Sequence, residues 1–427
     1  MLGRSAATPG PLRRSPGAAG QVVLVLAVLG LGAFPLAYHY LVQWPQDQWQ
    51  VDVEVYREAA RSLVYGRPIY EQLTEPPQLL PFTYPPFAAL LALPLAAIPF
   101  RAVGVLWTLA QVAATYGTVL LAFRPLLARA GGWRRVAGAV LTVPVLWMLP
   151  VSDGIRFGQI NAFLVLLCTA DLLAVQAPWA RWTGARGALI GVATAIKLTP
   201  GVFLVHLAWS RRWREALTVA ATAAFATVVA FLILPEASLA FWGGALSDPA
   251  RLGPNAGTTN QSLRGVLLRL GPDGAAGTAL WLVLVAVVGA VGFTVARRAA
   301  RVGDRCSEVA AVGLMAVLLS PVAWIHHFAW MTVVVAALAG DGRSRRRLVM
   351  AAVVLVWFLT RMPWWGVSWI EAGWPIGVGR VLQNSYLFGA LLALGLLWRV
   401  VPSGRPEGAA ATADAPSEPG QANRPTV

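Results

Sequence analysis

Apolar runs about 20 residues long recur along this chain, beginning at residues 21–40, and no other feature of the sequence constrains its fold as tightly. A run of that length crosses the hydrocarbon core of a bilayer as a helix, and within lipid the backbone must satisfy its own hydrogen bonds. Hydrophobic residues make up 57% of the 427, so the runs point to an all-α polytopic membrane protein and exclude an ordinary soluble globule. The two cysteines, Cys168 within an apolar run and Cys306 in an arginine-rich loop, have neither metal-ligand spacing nor an evident disulfide partner.

Charge fixes an expected topology. Lys and Arg outnumber Asp and Glu 34 to 19, but the arginines stand in short groups between apolar runs, as in cytoplasmic loops, so no nucleic acid partner is expected. Arg4, Arg13 and Arg14 precede the first run and place residues 1–20 in the cytoplasm. No small-x-small cleavage site follows that run, which is expected to stay as an anchor. Four later groups also read as cytoplasmic: Arg124, Arg129, Arg134 and Arg135; Arg211, Arg212 and Arg214; Arg297, Arg298, Arg301 and Arg305; and Arg343, Arg345, Arg346 and Arg347. Residues 402–427, rich in Ala, Pro, Gly, Glu and Ser, read as a disordered cytoplasmic tail, leaving 21–401 as the membrane domain.

Keeping all four groups on one side requires some apolar segments to turn back within the membrane. Three candidates carry their own breakers: residues 86–100 with Pro94 and Pro99, residues 187–209 broken at 197–200, and residues 309–338 broken at Ser320 and Pro321. Proline removes a helix hydrogen bond, and irregular backbone at membrane depth survives only where it is buried in protein or lines a cavity. Such breaks point to a site. Kinked spanning helices are the alternative, and they would move at least one arginine group outside. Counting half-helices, about ten to thirteen transmembrane or re-entrant helices are expected. Residues 42–85 then form the first extracytoplasmic loop. VDVEVY (51–56), FTYPPF (82–87), RFGQIN (156–161), TTNQSLRG (258–265), SPVAWIHH (320–327) and a Trp-rich stretch (361–374) all fall on the side away from the arginines.

The ordered set D-x-x-V-Y from Asp52 to Tyr56, G-x-x-I-Y from Gly66, Y-P-P-F-A-A-L-L-A-L-P-L from Tyr84, G-Q-I-N-A from Gly158, I-K-L-T-P from Ile196, N-Q-S-L-R-G from Asn260 and S-P-V-A-W-I-H-H from Ser320 resembles glycosyltransferase family 87 over roughly residues 45–335. The resemblance implies an integral membrane enzyme of the GT-C class that uses a polyprenyl-phosphate sugar, most often mannose for α-1,2 linkages, at the extracytoplasmic face of the cell membrane. It also implies that Asp52 is the catalytic aspartate. Arg57 stands where many members carry a second Tyr.

Chemistry assigns roles independently. Moving a sugar from a lipid phosphate to a hydroxyl needs a base for the hydroxyl proton, positive groups for the departing phosphate and a surface for the sugar ring. Asp52 directly follows the first membrane exit and is the candidate base, with helix capping as its structural alternative. Glu54 and Glu58 read as solvated charges. Lys197 is the only lysine and lies in an apolar segment, where an ionisable side chain costs at least ~2.5 to 3.5 kcal/mol; a lipid phosphate, snorkelling, or pairing with a carboxylate such as Asp171 would offset that. His326 and His327 could contact phosphate or sugar, sit satisfied in the core, or bind metal. Arg264 is a further candidate for the donor phosphate, as is Arg156. Tyr56, Tyr84, Gln159, Asn161, Asn260 and Trp324 lie inside the matched motifs and are candidate substrate contacts. No D-x-D motif, metal-ligand set or Gly-rich nucleotide loop is present, so neither metal nor cofactor is expected.

The sequence thus points to an inverting, metal-independent glycosyltransferase that moves mannose from a polyprenyl-phosphate donor to a hydroxyl of a cell-envelope glycolipid or glycan. An arabinofuranosyl donor on the same carrier is the alternative within the class. A flippase or transporter of lipid-linked sugar shares the broken helices and intramembrane cation, but it would not need an outward carboxylate.

Overall fold

The computed structural model describes residues 17–45, 48–174, 186–272 and 274–402. Arg4, Arg13 and Arg14 of the expected cytoplasmic N-terminus, and all but the first residue of the expected tail, lie outside the described residues.

The first apolar run forms α1 (Ala18–Tyr38), prolonged by a π-turn to Gln43. Gln50 then takes a left-handed backbone (φ 51°, ψ 40°) and redirects the chain into α2 (Val51–Val64), whose first turn carries Asp52 and Glu54. Acidic residues suit that position because the helix dipole is positive there. Next, α3 (Pro86–Ala96) begins on proline, where the missing N–H costs nothing. This helix stays beside α2: Ala89 and Ala92 share a buried cluster with Val55 and Ala59, and Arg57 Nε donates to the Ile98 carbonyl at 3.2 Å. The segment 86–100 therefore begins and ends on the same side of the molecule.

α4 (Phe100–Ala122) runs from that side to the opposite one, about 34 Å for 23 residues. There α5 (Arg124–Leu127) turns the chain into α6 (Arg134–Trp147). The α6 segment returns, and the chain bends by 78° into α7 (Leu149–Phe157). Then α8 (Asn161–Leu173) descends again, and α9 (Ala188–Ile196) rises from a start capped by Asp171, whose oxygens accept from the N–H groups of Gly187 at 2.7 Å and Ile190 at 3.0 Å. After the break at Lys197, α10 (Val202–Trp209) goes back down. Its His206 meets Glu308 at 2.9 Å beside Arg212, on the side where α9 began. Residues 187–209 thus double back at the lysine.

The long α11 (Trp213–Ile233) leads to α12 (Pro235–Gly243), where Phe241 stacks on Tyr70. A loop and α13 (Leu263–Leu270) precede α14 (Gly274–Val302), which returns to the arginine groups. α15 (Arg305–Leu318) and α16 (Met331–Ala339) form a second doubling-back hairpin at the centre of the protein. Every residue from Ser307 to Leu318 and from Met331 to Ala339 is buried. A Cβ on Gly313 would lie 2.4 Å from the Trp330 ring, so the hairpin can close only around a residue without a side chain. α17 (Arg345–Leu359), α18 (Met362–Glu371), α19 (Ile376–Gln383) and α20 (Ser385–Val400) complete the chain, and Trp398 lies beneath Arg298 at 3.8 Å.

Four helices are long and apolar enough to cross a membrane, and three bent pairs pass the same test when each is taken as one span. Four shorter apolar helices, Pro86–Ala96, Asn161–Leu173, Thr199–Trp209 and Ile325–Ala339, lie among them. The four described arginine groups gather at one end: Arg212 and Arg305 both pair with Glu308, and a Cβ on Gly342 would lie within 4 Å of Leu126 and Arg129. At the other end stand the polar motifs.

Candidate active site

Three breaks in regular structure meet at the end opposite the arginines: the start of α2, the turn between α7 and α8, and the gap between α9 and α10. Gly158 makes the second possible. It is left-handed (φ 71°), and a Cβ there would lie 2.2 Å from Val53 Cγ2 and 2.6 Å from Gln50 Oε1, so the 158–161 loop can rest directly on α2 only with glycine. Two glutamines hold this contact. Gln111, in the middle of α4, donates to the carbonyls of Gly154 at 2.9 Å and Gln159 at 2.7 Å, and Gln50 donates to that of Ile155 at 2.7 Å.

The helix cap ahead of Asp52 is Gln50, and no side chain caps the N-terminus, so capping does not explain the aspartate. Its carboxylate instead meets the Gln159 side chain and feels the charges of Lys197 and Asp153. Gln159 Oε1 accepts from the Tyr84 hydroxyl at 3.5 Å and from Asn161 Nδ2 at 3.4 Å. Asn161 Oδ1 accepts from Lys197 Nζ at 3.2 Å, and that ammonium lies 3.1 Å from His327 Nε2 and 5.3 Å from the centre of the Tyr84 ring. Tyr56 completes the wall, its hydroxyl 3.1 Å from that of Tyr84. The extended backbone of Lys197 (φ −150°, ψ 129°) ends α9 and frees the side chain from the helix. Asp171, committed to capping α9, is not its partner.

Burial pushes the Asp52 carboxyl up to about 6; the Gln159 hydrogen bond and Lys197 oppose the rise, and Asp153 adds to it. Burial also raises the Tyr84 hydroxyl, helped by the charge of Asp52, and raises the Tyr56 hydroxyl further. Both phenols therefore stay protonated and can donate.

The histidine pair divides. Their rings meet edge to face at 4.9 Å, but His327 faces Lys197 while His326 Nδ1 lies 4.0 Å from Asp153 Oδ2. Two other expected contacts are placed differently. Asn260, fully buried, staples loops together: Oδ1 accepts from the N–H of Ser262 at 3.2 Å and of Ala323 at 3.0 Å, while Nδ2 donates to the Asn255 carbonyl at 2.9 Å. These bonds give Asn260 a scaffold role, tying the 255–262 loop to the 320–324 segment. Arg264 stacks over Trp281 at 4.9 Å, which anchors α13 to α14 and accounts for its charge outside the Lys197 network. Trp324 pairs with Asn260 through its backbone and is half-buried.

The sequence reading passed over Gln50 and Gln111. A glutamine inside an apolar helix was the available signal for Gln111, since a polar group there needs a partner.

A helical membrane scaffold that sets a carboxylate, two phenols, a lysine and a histidine around three helix breaks has the make-up of a membrane glycosyltransferase. Residues 82–321 match the model of glycosyltransferase family 87, and the chain belongs to that family. It is 36% identical over 393 residues, 88% of this chain and 87% of the relative, to the polyprenol-phosphate-mannose-dependent α-(1-2)-phosphatidylinositol pentamannoside mannosyltransferase of Mycobacterium tuberculosis strain CDC 1551 / Oshkosh. It is 34% identical over 350 residues, 79% of this chain and 81% of the relative, to the polyprenol-phosphate-mannose-dependent α-(1-2)-phosphatidylinositol mannoside mannosyltransferase of strain H37Rv. The pentamannoside enzyme of Mycolicibacterium smegmatis shares 33% identity over 354 residues, 82% of each chain. No solved structure matches the chain.

Proposed function

We propose that the protein transfers mannose from a polyprenyl-phosphate donor to a hydroxyl of a phosphatidylinositol mannoside at the extracytoplasmic face of the cell membrane, with inversion at the anomeric carbon. The continuous path from Asp52 through Gln159 and Asn161 to Lys197 and His327 carries this reading, because it sets a base and a cation on one rigid frame. Asp52 takes the proton of the acceptor hydroxyl as that oxygen bonds to the anomeric carbon. The bond from that carbon to the phosphate oxygen breaks, and its electron pair leaves on polyprenyl phosphate beside Lys197 and His327. The positive end of the frame thereby stabilises charge as it develops. The Tyr84 ring and the Tyr56 hydroxyl bound the space for the transferred sugar. Mannose follows the relatives named above, and the facing follows the arginine groups at the far end.

Purified enzyme in nanodiscs, supplied with polyprenyl-phosphate mannose and phosphatidylinositol mannosides of increasing length, tests this directly. A new α-(1-2)-mannosyl linkage is the expected product. Transfer from polyprenyl-phosphate arabinofuranose alone would move the donor assignment to the other sugar, and a protein that moves lipid-linked sugar between leaflets without product would be a flippase.

A further inference from the structure

We propose that Tyr70 and Arg251 are positioning residues for the transfer: together they fix the Tyr84 wall of the sugar space, an inference that rests on the transferase reading above. Tyr84 stands at the head of Y-P-P, and neither Pro85 nor Pro86 has an N–H with which to brace the turn. The Tyr84 carbonyl, ahead of α3, is answered by the Tyr70 hydroxyl, which donates to it at 2.7 Å. Tyr70 closes the G-x-x-I-Y motif, to which the chemistry of transfer gives no role. It is buried, and its ring lies 5.7 Å from that of Phe241 and 5.8 Å from that of Phe82, so packing aims the hydroxyl.

Arg251 reaches the same place from a distant part of the chain. It lies in the loop between α12 and α13, and its Nη2 donates to the carbonyls of Tyr70 at 2.8 Å and Phe82 at 3.1 Å. One guanidinium nitrogen thereby ties the stretch that carries the Tyr70 hydroxyl to the stretch that carries Tyr84. The far end of this loop is bound to the segment before His327: the Gln261 N–H donates to the Ala323 carbonyl at 2.8 Å, and Asn260 Oδ1 accepts from the Ala323 N–H at 3.0 Å. The loop therefore joins the two segments whose Tyr84 ring and His327 side chain both meet Lys197. Displacement of about 1 Å is costly in a reacting site, and here the backbone at Phe82 and at Tyr84 is held from outside its own stretch.

Titration of the full-length protein with polyprenyl-phosphate mannose and with bare polyprenyl phosphate tests this, because only the first presents a sugar to Tyr84. Tyr70→Phe and Arg251→Met should each weaken the mannose-bearing lipid about three- to tenfold, the scale of one hydrogen bond, and leave the bare lipid phosphate unchanged. Arg251→Lys keeps a donor for the two carbonyls and should restore most of the affinity. In a Tyr84→Leu background neither Tyr70→Phe nor Arg251→Met should weaken the mannose-bearing lipid further, since residues acting through a common partner are not additive. A merely structural role would weaken both lipids alike and cost the same in either background, and either result overturns the proposal. Unchanged affinity in folded variants overturns it as well. Arg251 is only partly buried, so its variants carry the test if Tyr70→Phe fails to fold. A wild-type protein that binds the mannose-bearing lipid and forms no product overturns the transferase reading, and this role with it.

Discussion

Asp52 carries a proton acceptor's chemistry in a place that raises its affinity for protons. If it is the base, Asp52→Asn keeps the size and loses the ability to accept, so turnover should fall by roughly 10²- to 10⁴-fold in initial-rate assays, with donor binding little changed. Its raised carboxyl gives this role a pH signature. The active form is the ionised one, so activity should be full at neutral pH and fall as pH drops through about 6, with the slope of a single proton. An ordinary carboxylate would hold activity to lower pH, and a limb near 4 would contradict the burial argument. Lys197 makes a graded case. Lys197→Ala should abolish most donor binding, and Lys197→Arg should keep part of it, since charge survives while the compact geometry beside Asn161 and His327 does not. Donor affinity measured by titration of labelled polyprenyl phosphate separates the two. These residues were legible in the sequence because an ionisable group next to apolar neighbours demands a reason. The loop-stapling bonds of Asn260 were not legible, since a motif member that staples a loop looks the same in sequence as one that touches substrate.

At the scale of elements, the site depends on how firmly the 158–161 loop is held to α2, and Gln111 is the main clamp. Gln111→Leu would leave the Gln159 carbonyl buried without this donor, a cost of about 1 to 3 kcal/mol, while the Gly154 carbonyl keeps the Gln159 N–H at 2.8 Å. The loss would loosen Gln159, whose hydrogen bond lowers the proton affinity of Asp52. The expected signature is therefore a slower enzyme whose acid limb moves to higher pH; a merely destabilised protein would lose activity without that shift. The N-Q-S-L-R-G motif makes a second element-level case. Ser262 caps α13 by accepting from the Gly265 N–H at 2.9 Å, and a Cβ on Gly265 would fall 2.5 Å from the Asn260 carbonyl oxygen. Gly265→Ala should lower thermal stability, at about 1 to 3 kcal/mol for overpacking. Helices and their breakers were readable from apolar length and proline. The close backbone approaches at Gly158 and Gly265 were not, because what a glycine lies against is set by distant segments.

Over the whole molecule, the doubling-back hairpins explain how short apolar segments and four arginine groups coexist. Residues 187–209 and the α15–α16 hairpin both start and finish near Glu308 or the 340–347 loop, and their tips carry Lys197 and His327 to the opposite end. A polar hairpin tip at that depth is tolerated because the surrounding helices enclose it. The sequence anticipated this arrangement through its charge bias, whereas the lengthwise seating of α3 on α2 depends on packing that no local pattern reveals. The two ends should therefore face different compartments. Cysteines introduced at exposed Glu71 and Glu371 belong to the site end, and those at exposed Arg129 and Asp341 to the arginine end. In intact cells an impermeant thiol reagent should label the first pair and spare the second until the membrane is opened. Native Cys168 is buried and Cys306 half-buried, so the unsubstituted protein sets a low background. Labelling of Arg129→Cys from outside would put the arginine end outside and turn the proposed active site toward the cytoplasm, an orientation the positive-inside rule argues against.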